Sequence, residues 1–182
     1  APVILAAPYH SQFDGSIYAE TDCGPTSLSM ALGALKISAD QLSLRRLANA
    51  QMGTSDPNSG TTWEALAYAA KAKGATASGL YPAQGNGYRK WSIDDLKREL
   101  SQGHPVLLLV RYWDLPGHTQ STFNSDHFIV ALGFDQNGNL AYDDPAFSGQ
   151  AGANRTMTPA TLTKAWSDTS EGLVQTAMAL SA

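Results

Sequence analysis

The only cysteine of the chain, Cys23, lies in the segment DCGPTS at residues 22–27, next to an apolar pattern with helical spacing. At the start of a helix several backbone N–H groups lack intrahelical partners, and the helix dipole is positive. Both effects favour the thiolate, which is the nucleophilic form of cysteine. The segment therefore predicts a nucleophile whose own N–H could help to bind an oxyanion. Even at such a helix start, Cys23 could equally be a buried structural cysteine.

A histidine at the head of an apolar run is the second candidate. His127 belongs to the segment DHFIV at residues 126–130, which is typical of a buried strand. A strand fixes the backbone of its first residues, while a side chain at the strand end can face a cleft. His127 in this place could deprotonate a thiol as a general base. A solvent-exposed histidine at a strand end is the alternative.

A carboxylate is expected to lie near this histidine across a hairpin. Asn137-Gly138 is a strong turn signal, and the return strand ends in the segment YDDP at residues 142–145. A two-residue turn at this point would pair residue 135 with 140 and residue 131 with 144. One of the two adjacent aspartates could then orient the imidazole and stabilise its charged form.

A cysteine, a histidine and an aspartate in this order follow the nucleophile–base–orienter pattern of cysteine hydrolases. With these motifs the sequence resembles the papain-like cysteine peptidases of family 39, which process bacteriocin leaders, and their broader bacterial relatives. The resemblance extends over about residues 8–180. It includes three further segments, which are PYHSQ at 8–12, GHPVL at 103–107 and Ala165-Trp166.

The resemblance implies a role for each matching residue. Cys23 is the nucleophile and His127 is the general base and acid. Asp144 is the orienting carboxylate, because the family's aspartate directly precedes a proline and Asp143 does not. Gln12 matches the glutamine of the oxyanion hole, although the glutamine of papain lies closer to its cysteine. A loop at residues 14–16 is expected to fold Gln12 back toward Cys23.

The order of the predicted elements indicates an α+β fold. The predicted helices span residues 24–35, 39–50, 62–73 and 92–103. Pro25 lies in the first turn of the first helix, and Ser38 is the predicted N-cap of the second. The predicted strands span residues 106–113, 127–134, 140–143 and 172–180, and a short helix spans 159–166. We therefore predict one papain-like domain over residues 1–182, with a helical lobe (about 1–103) that carries the cysteine and an antiparallel sheet lobe (about 104–182) that carries the histidine and aspartate.

Composition limits the possible partners. The 182 residues carry a formal net charge of −4, and the 12 basic residues are scattered, which argues against nucleic acid. No apolar run is long enough for a membrane span. His10, His104 and His118 lack metal-ligand spacing, so we expect neither a metal nor a cofactor. With only 15% charged residues, the composition suits a secreted bacterial protein. We expect an extracytoplasmic monomer that acts on peptides or proteins.

Two alternatives to peptide hydrolysis remain open. Transglutaminase-like and arylamine-acetyltransferase-like enzymes use the same order of residues for acyl transfer, and they differ in what attacks the acyl enzyme. A non-catalytic papain-like module that binds peptide or cell-wall material is the other alternative. The complete set of three chemical groups argues against this binding module.

Overall fold

A computed structural model of the protein describes residues 2–182. The helices are α1 (Cys23–Ala34), α2 (Gln41–Met52), α3 (Trp63–Ala72), α4 (Ile93–Ser101) and α5 (Pro159–Ser167). The strands are β1 (Thr76–Ser78), β2 (Val106–Arg111), β3 (Asp126–Phe134), β4 (Leu140–Asp143), β5 (Arg155–Met157) and β6 (Ala177–Ser181). Two short 3-10 helices span Ala19–Thr21 and Tyr112–Asp114. No helix among residues 2–182 has both the length and the apolar character needed to cross a membrane.

The strands form one antiparallel sheet in the order β1-β6-β2-β3-β4-β5. Its central strands bury side chains on both faces. Leu107 and Leu109 of β2 pack with α1, α2 and α3, whereas Val106 and Leu108 pack with α4 and α5. Successive residues of a strand point to opposite faces, so burial on both sides requires the continuous apolar run of the sequence. The predicted combination of helices and antiparallel sheet is confirmed.

Side-chain caps fix where the helices begin. Thr62 accepts a hydrogen bond from the N–H of Ala65 at the start of α3, and Ser92 with Asp95 forms a capping box at α4. The predicted N-cap of α2, Ser38, is wrong. Asp40 caps α2 through the N–H of Ser43, so the helix begins two residues later than predicted.

Four strands differ from the prediction. β2 ends at Arg111 rather than at Trp113, because the chain turns into a 3-10 helix at Tyr112–Asp114. β1 and β5 are only three residues long, too short to show an alternating pattern. β6 begins at Ala177 rather than at Gly172, because Gly172 and Gln175 have positive φ angles of 81° and 52° and interrupt extended backbone. β1 precedes the predicted lobe boundary at residue 103, but it pairs with β6, so the two predicted lobes contribute to one sheet.

The predicted register of the β3–β4 hairpin is wrong. The N–H of Gly138 bonds to the carbonyl of Asp135 at 3.0 Å, and Gly138 has a left-handed φ of 79°. The loop therefore has three residues with glycine in the left-handed position, and Phe134 rather than residue 135 pairs with Leu140. A bulge at Leu132 shifts the register once more, so that Val130 faces Asp143. These two shifts move Asp144 along β3 toward His127.

Candidate active site

Cys23 is the first residue of α1, and its helix end is left open by an unusual N-cap. The Asp22 carboxylate makes no capping hydrogen bond; it pairs instead with the guanidinium of Arg45, with 3.4 Å between Oδ1 and Nη1. The N–H groups of the first turn are therefore not taken up by a side chain, which keeps them available to an anion. A Cβ atom on Gly24 would collide with Oγ1 of Thr61, so glycine is required beside Cys23.

Arg45 is a fully buried cation that joins the loops around the cysteine. Its guanidinium donates to the carbonyl oxygens of Thr21, Asp56 and Ser59, and it lies 4.5 Å from the ring centre of Tyr18. Burial raises the pKa of Asp22 to about 7, although the neighbouring guanidinium opposes this change. The sequence carried one signal for this role, a charged residue on the apolar face of a helix.

His127 and Asp144 are in direct contact at the end of β3. Nε2 of His127 lies 2.8 Å from Oδ1 of Asp144, and both side chains are buried. Burial lowers the pKa of His127, but the Asp144 carboxylate and the nearby Cys23 thiol outweigh it and raise this pKa to about 10. Burial likewise raises the pKa of Asp144, but His127 and His118 together hold it well below its usual range.

Asp143 points away from this contact. Its Oδ1 accepts a hydrogen bond of 2.8 Å from the N–H of Asn154. Burial raises the pKa of Asp143 to about 6 against the effect of this hydrogen bond. Of the two adjacent aspartates, Asp144 is therefore the one whose carboxylate reaches His127.

The backbone of Asp144 is held as firmly as its side chain. The hydroxyl of Tyr9 donates to the carbonyl oxygen of Asp144 at 2.5 Å and is also 3.0 Å from the carbonyl oxygen of Phe147. The N–H of Asp144 donates to the carbonyl of Gly152 at 2.9 Å. A Cβ atom on Gly152 would overlap both the Asp144 carbonyl and the Tyr9 hydroxyl. The N-terminal segment thus fixes the loop that carries the aspartate.

A second histidine, His118, whose spacing in the sequence did not indicate a role, contacts the same carboxylate. Nε2 of His118 lies 2.8 Å from Oδ2 of Asp144. One possible metal-ligating atom from each of His118, His127 and Asp144 lies within 4.8 Å of the other two. Among residues 2–182 this is the only group of three His, Cys, Asp or Glu side chains placed so closely. These atoms already pair with each other, so a metal would have to replace those hydrogen bonds.

Gln12 lies in the same cleft as Cys23 and His127. The loop after Gln12 turns back at Gly15, which has a φ of 80°, and the N–H of Gln12 donates to the carbonyl of Pro145 at 2.9 Å. One hydrogen of its side-chain amide is directed to the carbonyl of Ala19, with Nε2 at 2.9 Å. The second hydrogen of this amide is the one that could face a bound carbonyl oxygen.

Two pockets share Cys23 in their linings. The first is a cleft of about 420 Å³ with both polar and apolar lining groups, among them Gln12, Phe13 and His127. The second has a volume of about 260 Å³, and apolar side chains form most of its wall. These side chains are Trp63, Leu109, Phe128 and Leu173. Cys23 therefore borders both a cleft of mixed polarity and a mostly apolar pocket.

The sequence profile of the Peptidase_C39 like family matches residues 4–174, which is nearly the whole chain. The chain belongs to this family. It is therefore a hydrolase of the cysteine-peptidase type. No curated protein is significantly similar to this C39-like peptidase in sequence.

Solved structures support the fold of this C39-like peptidase. A Bacillus anthracis protein described as a C39-like peptidase has a TM-score of 0.64 at 18% identity, with coverage of 100% of this chain and 98% of that one. A double glycine motif protease from an AMS/PCAT transporter, solved with its leader peptide, gives 0.54 at 18% identity, with coverage of 98% and 94%. The peptidase domain of Streptococcus ComA, a bifunctional ABC transporter, gives 0.55 at 20% identity, with coverage of 89% and 90%.

Proposed function

We propose that the protein hydrolyses peptide bonds through a thioester on Cys23, with His127 as general base and acid and Asp144 as the carboxylate that orients it. The contact of His127 with Asp144 beside the thiol carries this proposal. Because Nε2 of His127 is bonded to Asp144, Nδ1 is the ring nitrogen left for the proton of Cys23. The buried carboxylate favours the charged imidazole, and the charged imidazole in turn favours a thiolate.

The first half of the reaction forms the thioester. The Cys23 thiolate attacks the carbonyl carbon of the scissile bond, and the oxygen becomes an oxyanion. The N–H of Cys23 and the side-chain amide of Gln12 are the proposed donors to this oxygen. When the C–N bond breaks, Nδ1 of His127 gives its proton to the leaving amine.

The second half releases the acid product. A water molecule gives a proton to His127 and attacks the thioester carbon. The C–S bond then breaks, and the thiolate and the protonated imidazole are restored. An amine could take the place of this water, which is the acyl-transfer alternative.

The proposed substrate is an extended peptide with an apolar side chain close to the scissile bond. The pocket of about 260 Å³ beside Cys23 offers Trp63, Leu109, Phe128 and Leu173 to such a side chain. It has room for a side chain much larger than that of glycine. The monomeric state and the extracytoplasmic location remain predictions.

Peptide-library profiling of the wild type and Cys23→Ser tests this function. The wild type should cleave peptides with an apolar residue near the scissile bond, and Cys23→Ser should cleave none because it lacks a thiol. Adding a soluble amine during turnover separates hydrolysis from acyl transfer through the ratio of acid to amide product. Equal turnover by both proteins, or a product that is mostly amide at low amine concentration, would contradict the proposal.

A further inference from the structure

The environment of Asp144 contains one buried side-chain donor that the proposed mechanism does not use. The carboxylate is fully buried, and three donors surround it. Oδ1 accepts from Nε2 of His127 at 2.8 Å and from the N–H of Ala146 at 3.0 Å. Oδ2 accepts from Nε2 of His118 at 2.8 Å. His118 is thus the only side-chain or backbone group of the described residues that bonds Oδ2.

The ring of His118 is fixed by its own packing. It lies between two aromatic rings, at 3.9 Å from the ring centre of Tyr112 and 4.5 Å from that of Phe147, with interplanar angles of 14° and 22°. The N–H of His118 donates to the carbonyl of Leu115 at 3.0 Å. Stacking therefore fixes the plane of the ring, and the hydrogen bond to Leu115 fixes the backbone of His118. Together they hold Nε2 toward Asp144.

The charge on Asp144 determines which ring nitrogens carry hydrogen. An ionised carboxylate can only accept, so Nε2 of both histidines must donate. A neutral His118 with its hydrogen on Nε2 satisfies Oδ2 as well as a charged one does. The Nε2–H of His118 is thus matched to an oxygen that would otherwise be a buried charged acceptor without a partner, which is costly.

We propose that His118 is a positioning residue for the peptidase reaction, whose Nε2–H holds Oδ2 of Asp144 so that Oδ1 stays aligned with His127. This inference rests on the proposed function. Without His118, the carboxylate is free to turn about its χ2 torsion toward other donors, and His127 loses its orientation. His118 touches no reacting atom, so its loss should lower kcat and leave KM nearly unchanged.

Three substitutions separate positioning from simple packing. His118→Gln places an amide nitrogen where Nε2 was, but it loses the ring. His118→Asn also loses the ring, and its shorter amide cannot reach Oδ2. His118→Phe keeps the stacked ring between Tyr112 and Phe147 and removes the donor. A positioning role ranks Gln above Asn and Phe in activity, whereas a packing role ranks Phe first.

The experiment measures kcat and KM on a cleaved library peptide, together with the rate of Cys23 alkylation and the melting temperature. We expect kcat to fall about 10- to 100-fold in the Asn and Phe variants, the loss expected for one hydrogen bond to a charged group. The Gln variant should stay within about fivefold of the wild type. KM should change less than about threefold in all variants.

Two results would overturn the inference: a Phe variant that turns over within about threefold of the wild type, or equal losses in the Gln and Asn variants. If the melting temperatures show that the Gln and Asn variants unfold, the Phe variant decides, because it keeps the ring and lacks only the donor to Asp144. If no peptide is cleaved by the wild type, the proposed function fails instead. The alkylation rates then still report whether His118 aligns His127 with Cys23.

Discussion

His127 has one ring nitrogen bonded to Asp144, and the other is left for Cys23. This arrangement keeps a positive charge beside the thiol, because the pKa of His127 is raised to about 10 against the effect of burial. We therefore expect iodoacetamide to alkylate Cys23 at pH 6 roughly 10- to 100-fold faster than it alkylates free cysteine, which has very little thiolate at that pH. Mass spectrometry of the single thiol measures the rate. His127→Gln should bring this rate close to that of free cysteine, and a wild-type rate at or below the free-thiol value would count against the nucleophile assignment.

The two adjacent aspartates allow a matched comparison. Asp144→Asn removes the charge that stabilises the imidazolium, and kcat should fall by orders of magnitude while the fold survives. Asp143→Asn keeps an oxygen for the N–H of Asn154 and should leave kcat within a few-fold of the wild type. Steady-state kinetics and circular dichroism of both variants check this expectation. The reverse order of effects would assign the orienting role to Asp143.

Gln12 is predicted to act only when the oxyanion forms. Gln12→Ala should lower kcat by about 10²–10³-fold with KM nearly unchanged, because a donor to the oxyanion binds the transition state rather than the substrate. Alkylation of Cys23 should stay fast, since it depends on His127 and the helix start. Gln102→Ala, at an exposed position after α4, serves as the control. Turnover of Gln12→Ala within a few-fold of the wild type would direct attention to Ser125, which lines the same cleft.

At the scale of elements, the start of α1 depends on close packing against the loop before α3. Gly24→Ala should destabilise the protein by about 1–3 kcal/mol, because the added methyl group meets Thr61, Leu66 and Phe128. Gly60→Ala is the control, since its Cβ position is open and lies near the same cleft. Urea denaturation measures both free energies of unfolding. Equal stability of the two variants would show that the helix entry tolerates a side chain.

The helices and the hairpin differ in how well they could be predicted from the sequence. The helices predicted over residues 62–73 and 92–103 match α3 and α4 within one or two residues at each end, because their caps at Thr62 and Ser92 are local interactions. The hairpin register was predicted wrongly, because a left-handed Gly138 and a bulge at Leu132 each shift the pairing of β3 with β4 by one residue. The hydrogen bonds of His118 and Arg45 arise from tertiary packing. The position of Arg45 on the apolar face of a helix was the one sequence signal for them, and His118 had none. The motif segments did predict that Cys23 and His127 lie close together and that Asp144 contacts His127.

For the whole molecule, the raised pKa of His127 makes stability depend on pH. Its folded-state pKa of about 10 lies above the unfolded value of about 6.5. The charged imidazole therefore contributes its full stabilisation below about pH 6.5, and this contribution is lost as the pH rises through 10. We expect the free energy of unfolding to fall more between pH 6 and pH 10 in the wild type than in His127→Gln. Urea titrations of both proteins at both pH values measure this difference. An equal decrease in the free energy of unfolding in the two proteins would refute the prediction.

β6 is the last of the six described strands along the chain, yet it lies between β1 and β2 in the sheet. While the ribosome is still making the chain, β1 has no neighbour and β2 has an open edge. Such unpaired edges are hazards for aggregation, and long-range pairings of this kind form slowly. Cys23 emerges early, but the sheet that presents His127 to it is completed only when residues 177–181 are available. The order of synthesis thus delays assembly of the cleft until β6 can insert between β1 and β2.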